Sequence, residues 1–217
     1  MKPATPLVIE VASDVICPWC YIGKRRLEKA LALLDGEVKP EIRWLPFQLN
    51  PGMPSQGIPR EEYRKAKFGS IERSRGLDAR VAAEGEGEGI AFAFERIERT
   101  PNTVAAHQLI DLAQRQGAEA AQKQQGLGTA VVSALFKAYF EEARDIGDAA
   151  VLAGIATSAG VTGWPQQADG KQVAQLEEDM RNLGISAVPT FIFGRKVGVS
   201  GAHPPEALAQ AIKDSLR

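Results

Sequence analysis

Residues 14–31 read DVICPWCYIGKRRLEKAL and hold both cysteines of a 217-residue chain. An apolar, β-branched run precedes them, PLVIEV at 6–11, which suits a strand buried on both faces of a sheet. From Cys17 the period becomes helical: Leu27, Ala30, Leu31 and Leu34 recur at i, i+3, i+4 and i+7, and Asp35 with Gly36 supplies a stop. EIRWLPF at 41–47 reads as a second strand. Strand, helix and strand in one sheet require a parallel, right-handed crossover. The segment from Cys17 to Cys20 then sits at the first turn of the crossover helix.

Further along, helical patterns fall near 60–83, 102–116, 129–143, 148–159 and 170–183, separated by EGEGEG, QGLG, DIGD and GVTGWP. IAFAF at 90–94 fits either a helix or a strand. TFIFG and KVGVSG, within 190–201, predict a hairpin turning at Gly194 and Arg195. A last helix from about Pro205 carries Leu208, Ala211, Ile212 and Leu216 on one face. This order predicts an α/β fold in which residues 1–50 supply a βαβ part and residues 171–217 an αββα part. Residues 51–170 form a helical insertion packed over one side of the sheet.

The net charge is −1, from 26 basic and 27 acidic residues, so no overall positive field draws nucleic acid. No run approaches the roughly 18 apolar residues of a membrane span, and MKPATPLVIEV lacks the features of a secretory signal, which predicts a cytoplasmic protein without a membrane partner. In a reducing compartment two cysteines this close form a poor structural bridge.

Disulfide chemistry needs a thiolate. Cys17 lies where unpaired N–H groups and the helix dipole favour an anion, and Pro18 at the first helical position loses no hydrogen bond. Such settings hold cysteine pKa values at roughly 3.5 to 7.5, a range taken from other proteins with this motif. A fall from about 8.5 to about 6 raises the thiolate fraction near neutrality from a few per cent to about 90 per cent. Cys20, three residues on, faces the same side and can resolve a mixed disulfide formed at Cys17. Trp19 between them offers a substrate an apolar contact. A zinc site would need two more ligands, and His107 and His203 match no compact zinc spacing. Inert core cysteines are a weaker reading at a strand-to-helix junction that carries proline.

Other residues read mainly as structure. Glu10 and Asp14 are solvent-facing or hydrogen-bonded groups ahead of a proton shuttle for Cys20. His107 packs on a helix that Asn102 caps, and His203 belongs to a loop. GKRR at 23–26 is a solvated helix face. EGEGEG is a flexible loop whose glutamates would repel a phosphate.

SDVICPWCYIGKRRLE at 13–28, PNTVAAHQLI at 101–110 and GISAVPTFIFGRKVGVSGAHPPEAL at 184–208 together resemble the DsbA-like FrnE group of thioredoxin-fold proteins. That group is related to 2-hydroxychromene-2-carboxylate isomerases and kappa-class glutathione transferases. The resemblance implies a thioredoxin core with a large all-helical insertion. It also implies that Pro189 is cis and faces the cysteines, and that the backbone of Val188 pairs with an extended substrate. The isomerase and transferase relatives usually carry serine where this chain has Cys17. Keeping both sulfurs favours thiol-disulfide exchange with protein disulfides, dithiols or small thiols. Catalysis then falls to Cys17 and Cys20, and substrate contact to Pro18, Trp19, Val188 and Pro189. No metal or organic cofactor is required, and glutathione is a candidate co-substrate. A glutathione-dependent isomerase or transferase is the second reading, and a non-catalytic binding or chaperone-like module the third.

Overall fold

The computed structural model describes residues 4–119 and 126–217. It opens with β1 (Thr5–Ser13), α1 (Pro18–Leu33) and β2 (Val38–Pro46). The two strands pair in parallel from Thr5 opposite Val38 to Ser13 opposite Pro46, the crossover the hydrophobic pattern requires. Next comes a two-residue ribbon strand, β3 (Ile58–Pro59), followed by α2 (Arg60–Phe68) and α3 (Ile71–Gly87). β4 (Arg99–Thr100) returns antiparallel to β3, too short a pairing for any alternation to announce it. The helices α4 (Val104–Glu119), α5 (Leu127–Phe140), α6 (Ala149–Ala159) and α7 (Gly170–Asn182) follow, then β5 (Thr190–Phe193), β6 (Val197–Ser200) and α8 (Pro205–Ser215).

The four longer strands lie in the order β2-β1-β5-β6, with β5 antiparallel to both its neighbours. This is the thioredoxin arrangement, with the helical layer inserted before the closing hairpin. Leu7, Ile9 and Val11 alternate along β1 with period two, and Ile9 and Val11 stand opposite Phe193 and Phe191 of β5. These five residues are buried, as are Leu208 and Ile212 of α8, which packs beside α1. Each such side chain contributes roughly 1.5–3 kcal/mol by leaving water.

The helical layer joins the sheet at β2, which α4, α5 and α7 all touch. Trp44 is buried there, and its Nε1 donates to Thr129 Oγ1 at 2.9 Å. Its main-chain N–H donates to Gln114 Oε1 at 2.6 Å, and its carbonyl accepts from Gln114 Nε2 at 3.0 Å. One side-chain amide of α4 therefore takes the place of a neighbouring strand.

Several local expectations need correction. The single helix expected over 60–83 is two helices, divided at Gly69, whose φ of +88° glycine alone adopts easily. EGEGEG is no free loop: Glu84–Gly87 form the last turn of α3, and charges on α1 hold it in place. IAFAF is neither helix nor strand; it leads into the 3-10 turn Phe94–Arg96, with Phe92 and Phe94 stacked 4.6 Å apart. Leu216 lies just past α8 and is exposed. QGLG begins at Gln125, outside the described residues. The hairpin turns at Gly194 and Arg195, each with φ of 57°, as a tight two-residue connection requires.

Candidate active site

β1 ends at Ser13 and α1 begins at Pro18, so residues 14–17 make the whole connection. Cys17 is the N-cap, extended at φ −91° and ψ 111°, with Pro18 as the first helical residue. The Cys17 N–H donates to the Asp14 carbonyl at 3.0 Å, and the Cys20 N–H donates to the Cys17 carbonyl at 3.0 Å. Both cysteines are free thiols. Cys17 retains 5% of its surface and Cys20 1%, beneath a rim formed by half-buried Pro18 and by Trp19, which is 39% exposed.

The other wall comes from the loop before β5. The Cys17 thiol points to the Val188 carbonyl across 3.8 Å, and the Val188–Pro189 peptide is cis. A β-carbon at Gly23, one turn beyond Cys20, would lie 2.9 Å from Pro189 Cγ and 3.1 Å from Phe191 Cζ. Glycine there lets α1 and this loop meet. The structure thus gathers Cys17, Pro18, Trp19, Cys20, Val188 and Pro189 in one place.

The two sulfurs are not equivalent. Burial, followed by the hydrogen bond and charge of Cys17, pushes the Cys20 thiol well above the usual cysteine range; the Ser13 hydroxyl and Asp14 main chain oppose this without reversing it. Cys20 is therefore a protonated thiol at neutral pH. Beside it, Asp14 is fully buried, and its Oδ2 accepts the Leu49 N–H at 2.8 Å. His107 Nε2 stands 3.6 Å from Asp14 Oδ1. Glu10 is elsewhere: it points from β1 toward Arg195, 3.4 Å away. His203 is an exposed loop residue with Nε2 2.9 Å from the Ser200 carbonyl.

Sequence reasoning passed over Ser13 and Gly23. A glycine inside a helical pattern signals close packing, but the sequence does not say against what. GKRR is no solvated face: Lys24 is buried, and Arg26 reaches Glu84 at 2.6 Å and Glu88 at 2.7 Å.

The DSBA-like thioredoxin domain matches this chain over residues 8–213. The chain belongs to the DsbA-like thioredoxin family. Members of the DsbA-like family are in general thiol-disulfide oxidoreductases. A probable DsbA oxidoreductase from Streptomyces coelicolor superposes with a TM-score of 0.82 at 31% identity, covering 97% of this chain and 90% of its own. YwbO of Bacillus subtilis, an uncharacterized protein, is 30% identical over 216 residues, 96% of this chain and 97% of YwbO. The cytosolic disulfide reductase DsbM of Pseudomonas aeruginosa shares the fold at a TM-score of 0.65 and 18% identity, covering 97% of this chain and 98% of its own. Among the described residues of this DsbA-like chain, no helix is long and apolar enough to cross a membrane.

Proposed function

We propose that this DsbA-like protein exchanges disulfides through Cys17 and Cys20, acting on protein disulfides or dithiols or on small thiols in a cytosolic setting. The observation that carries the reading is the asymmetry of the pair: Cys17 stands at the N-cap of α1, at the positive end of its dipole, and keeps 5% of its surface, whereas Cys20 keeps 1% and is protonated. Cys17 attacks a substrate disulfide as thiolate, forming a mixed disulfide and releasing one substrate sulfur as thiolate. Cys20 then loses its proton and attacks the Cys17 sulfur. The bond to the substrate breaks, and its second sulfur leaves as thiolate. The substrate gains two electrons and the Cys17–Cys20 pair is oxidised; the reverse sequence oxidises a substrate dithiol.

Trp19 and Pro18 supply an apolar contact beside the attacked sulfur, and the Val188 main chain pairs with an extended substrate segment. Glutathione fits as the small thiol that returns the pair to its reduced state, and DsbM of Pseudomonas aeruginosa has been solved with GSH. The test is a pair of variants assayed with a disulfide substrate. Cys17→Ser loses turnover altogether, and Cys20→Ser accumulates a covalent adduct at Cys17 visible by mass spectrometry. Full turnover in Cys17→Ser removes the mechanism, and glutathione-dependent isomerisation with Cys20 dispensable replaces it with the second reading.

A further inference from the structure

In the resolving step Cys20 must release a proton from a site that water does not reach, so a nearby group has to accept it. Its ionisation is governed, beyond burial, by Cys17, which opposes it, and by the Ser13 hydroxyl and the Asp14 main chain, which favour it. The Asp14 carboxylate accepts the Leu49 N–H at 2.8 Å and the Ile16 N–H at 3.5 Å. Ser13 Oγ, which meets the Cys20 sulfur outside regular hydrogen-bond geometry, and His107 Nε2 are, by contrast, both buried with no nitrogen or oxygen partner, an arrangement that for the imidazole costs about 1–3 kcal/mol. Both residues line one cavity of about 10 Å³, otherwise walled largely by apolar side chains such as Val15, Ile110 and Val132. That is the room a single water molecule needs.

Building on the disulfide-exchange reading above, we propose that Ser13 and His107 form the proton exit of Cys20, bridged by one water, with His107 as the acceptor. The Cys20 proton passes through the Ser13 hydroxyl to the His107 imidazole. The electron pair left on Cys20 forms the bond to Cys17 as the bond from Cys17 to the substrate sulfur breaks. Asp14, 3.6 Å from the imidazole, is too far for a hydrogen bond but near enough to stabilise the imidazolium by charge. When the pair is reduced, His107 returns the proton. Asp111, one turn along α4, also faces the cavity and is held by Arg115 at 2.9 Å and Gln172 at 3.3 Å. β2, α5 and α7 contribute uncharged Trp44, Leu45, Pro46, Val132 and Leu176.

Dithiobisnitrobenzoate separates the two steps, since the reduced protein releases one thionitrobenzoate when Cys17 attacks and a second when Cys20 resolves. His107→Gln and Ser13→Ala are expected to keep the first release within about threefold and to slow the second about tenfold or more. The second rate should level off with rising pH in the unmodified protein and climb in proportion to hydroxide in His107→Gln. A second release within twofold of the unmodified rate in both variants overturns the proposal. If His107→Gln does not fold, Ser13→Ala, which removes one hydroxyl, decides it by the same ratio. Failure of the first release in the unmodified protein would instead strike the disulfide-exchange reading itself.

Discussion

Gly23 sets how closely α1 approaches the loop carrying Val188 and Pro189. Alanine in place of glycine improves a helix interior by about 0.5–1 kcal/mol, but overpacking a filled site costs about 1–3 kcal/mol. With a β-carbon 2.9 Å from the Pro189 ring, packing wins. Gly23→Ala should lose about 1 kcal/mol in urea denaturation. Gly76, on the exposed side of α3, has nothing within 4 Å of a built β-carbon, so Gly76→Ala should gain up to about 1 kcal/mol. Equal shifts of the same sign would remove the packing argument. Cys17 and Cys20 were legible in the sequence because their chemistry resides in residue type and spacing. Ser13, Gly23 and the nearness of His107 to Asp14 were not, because each matters through a neighbour that the chain supplies only after α4 and β5 fold back.

At the scale of elements, GKRR read as a solvated helix face and EGEGEG as a flexible loop, and each is the other's partner. Arg26 and Lys29 of α1 converge on Glu88 at 2.7 and 2.6 Å, just past the end of α3. Exposed ion pairs contribute little, but the Glu88 side chain keeps only 8% of its surface, so losing its charge removes a buried partner of Arg26, which keeps Glu84, and leaves half-exposed Lys29 to water. Burial works against the carboxylate, yet hydrogen bonds from Lys29 and Arg26 hold Glu88 below the usual range. A depressed folded value means that this stabilisation is full above the ordinary glutamate pKa of about 4.3 and is lost as pH falls through the folded value. Glu88→Gln should therefore lose about 1–2 kcal/mol at pH 7 and show a shallower acid limb below about pH 5. Glu177, held low despite burial by Gln48 and Arg181, keeps a part of that limb. Urea midpoints from pH 7 to pH 3.5 check this, and an unchanged slope counts against it. The helices themselves were readable because a 3.6-residue period is local; no comparable period marks a salt bridge between distant helices.

For the molecule as a whole, two pairings of the sheet, β1 with β2 and β5 with β6, followed from local signals, a crossover and a hairpin, whereas the pairing of β1 with β5 that joins them had none. The way the helical layer joins the sheet had none either. Gln114 is one polar residue on an amphipathic helix, and its role appears when α4 lies along β2 and the amide meets both main-chain groups of Trp44. Gln114→Leu should cost about 2–3 kcal/mol, since two buried backbone groups lose their partners, and should promote self-association visible by light scattering. A stable, monodisperse variant would show that the amide is dispensable. Main-chain groups alternate sides along a strand, so the main-chain nitrogens of β2 that face away from β1 belong to Val38, Pro40, Ile42, Trp44 and Pro46. Prolines have no hydrogen to give, and the indole residue has already given its own. An extended segment lying along that margin would find few hydrogens to pair with, so the border of the sheet is poorly suited to take on another strand.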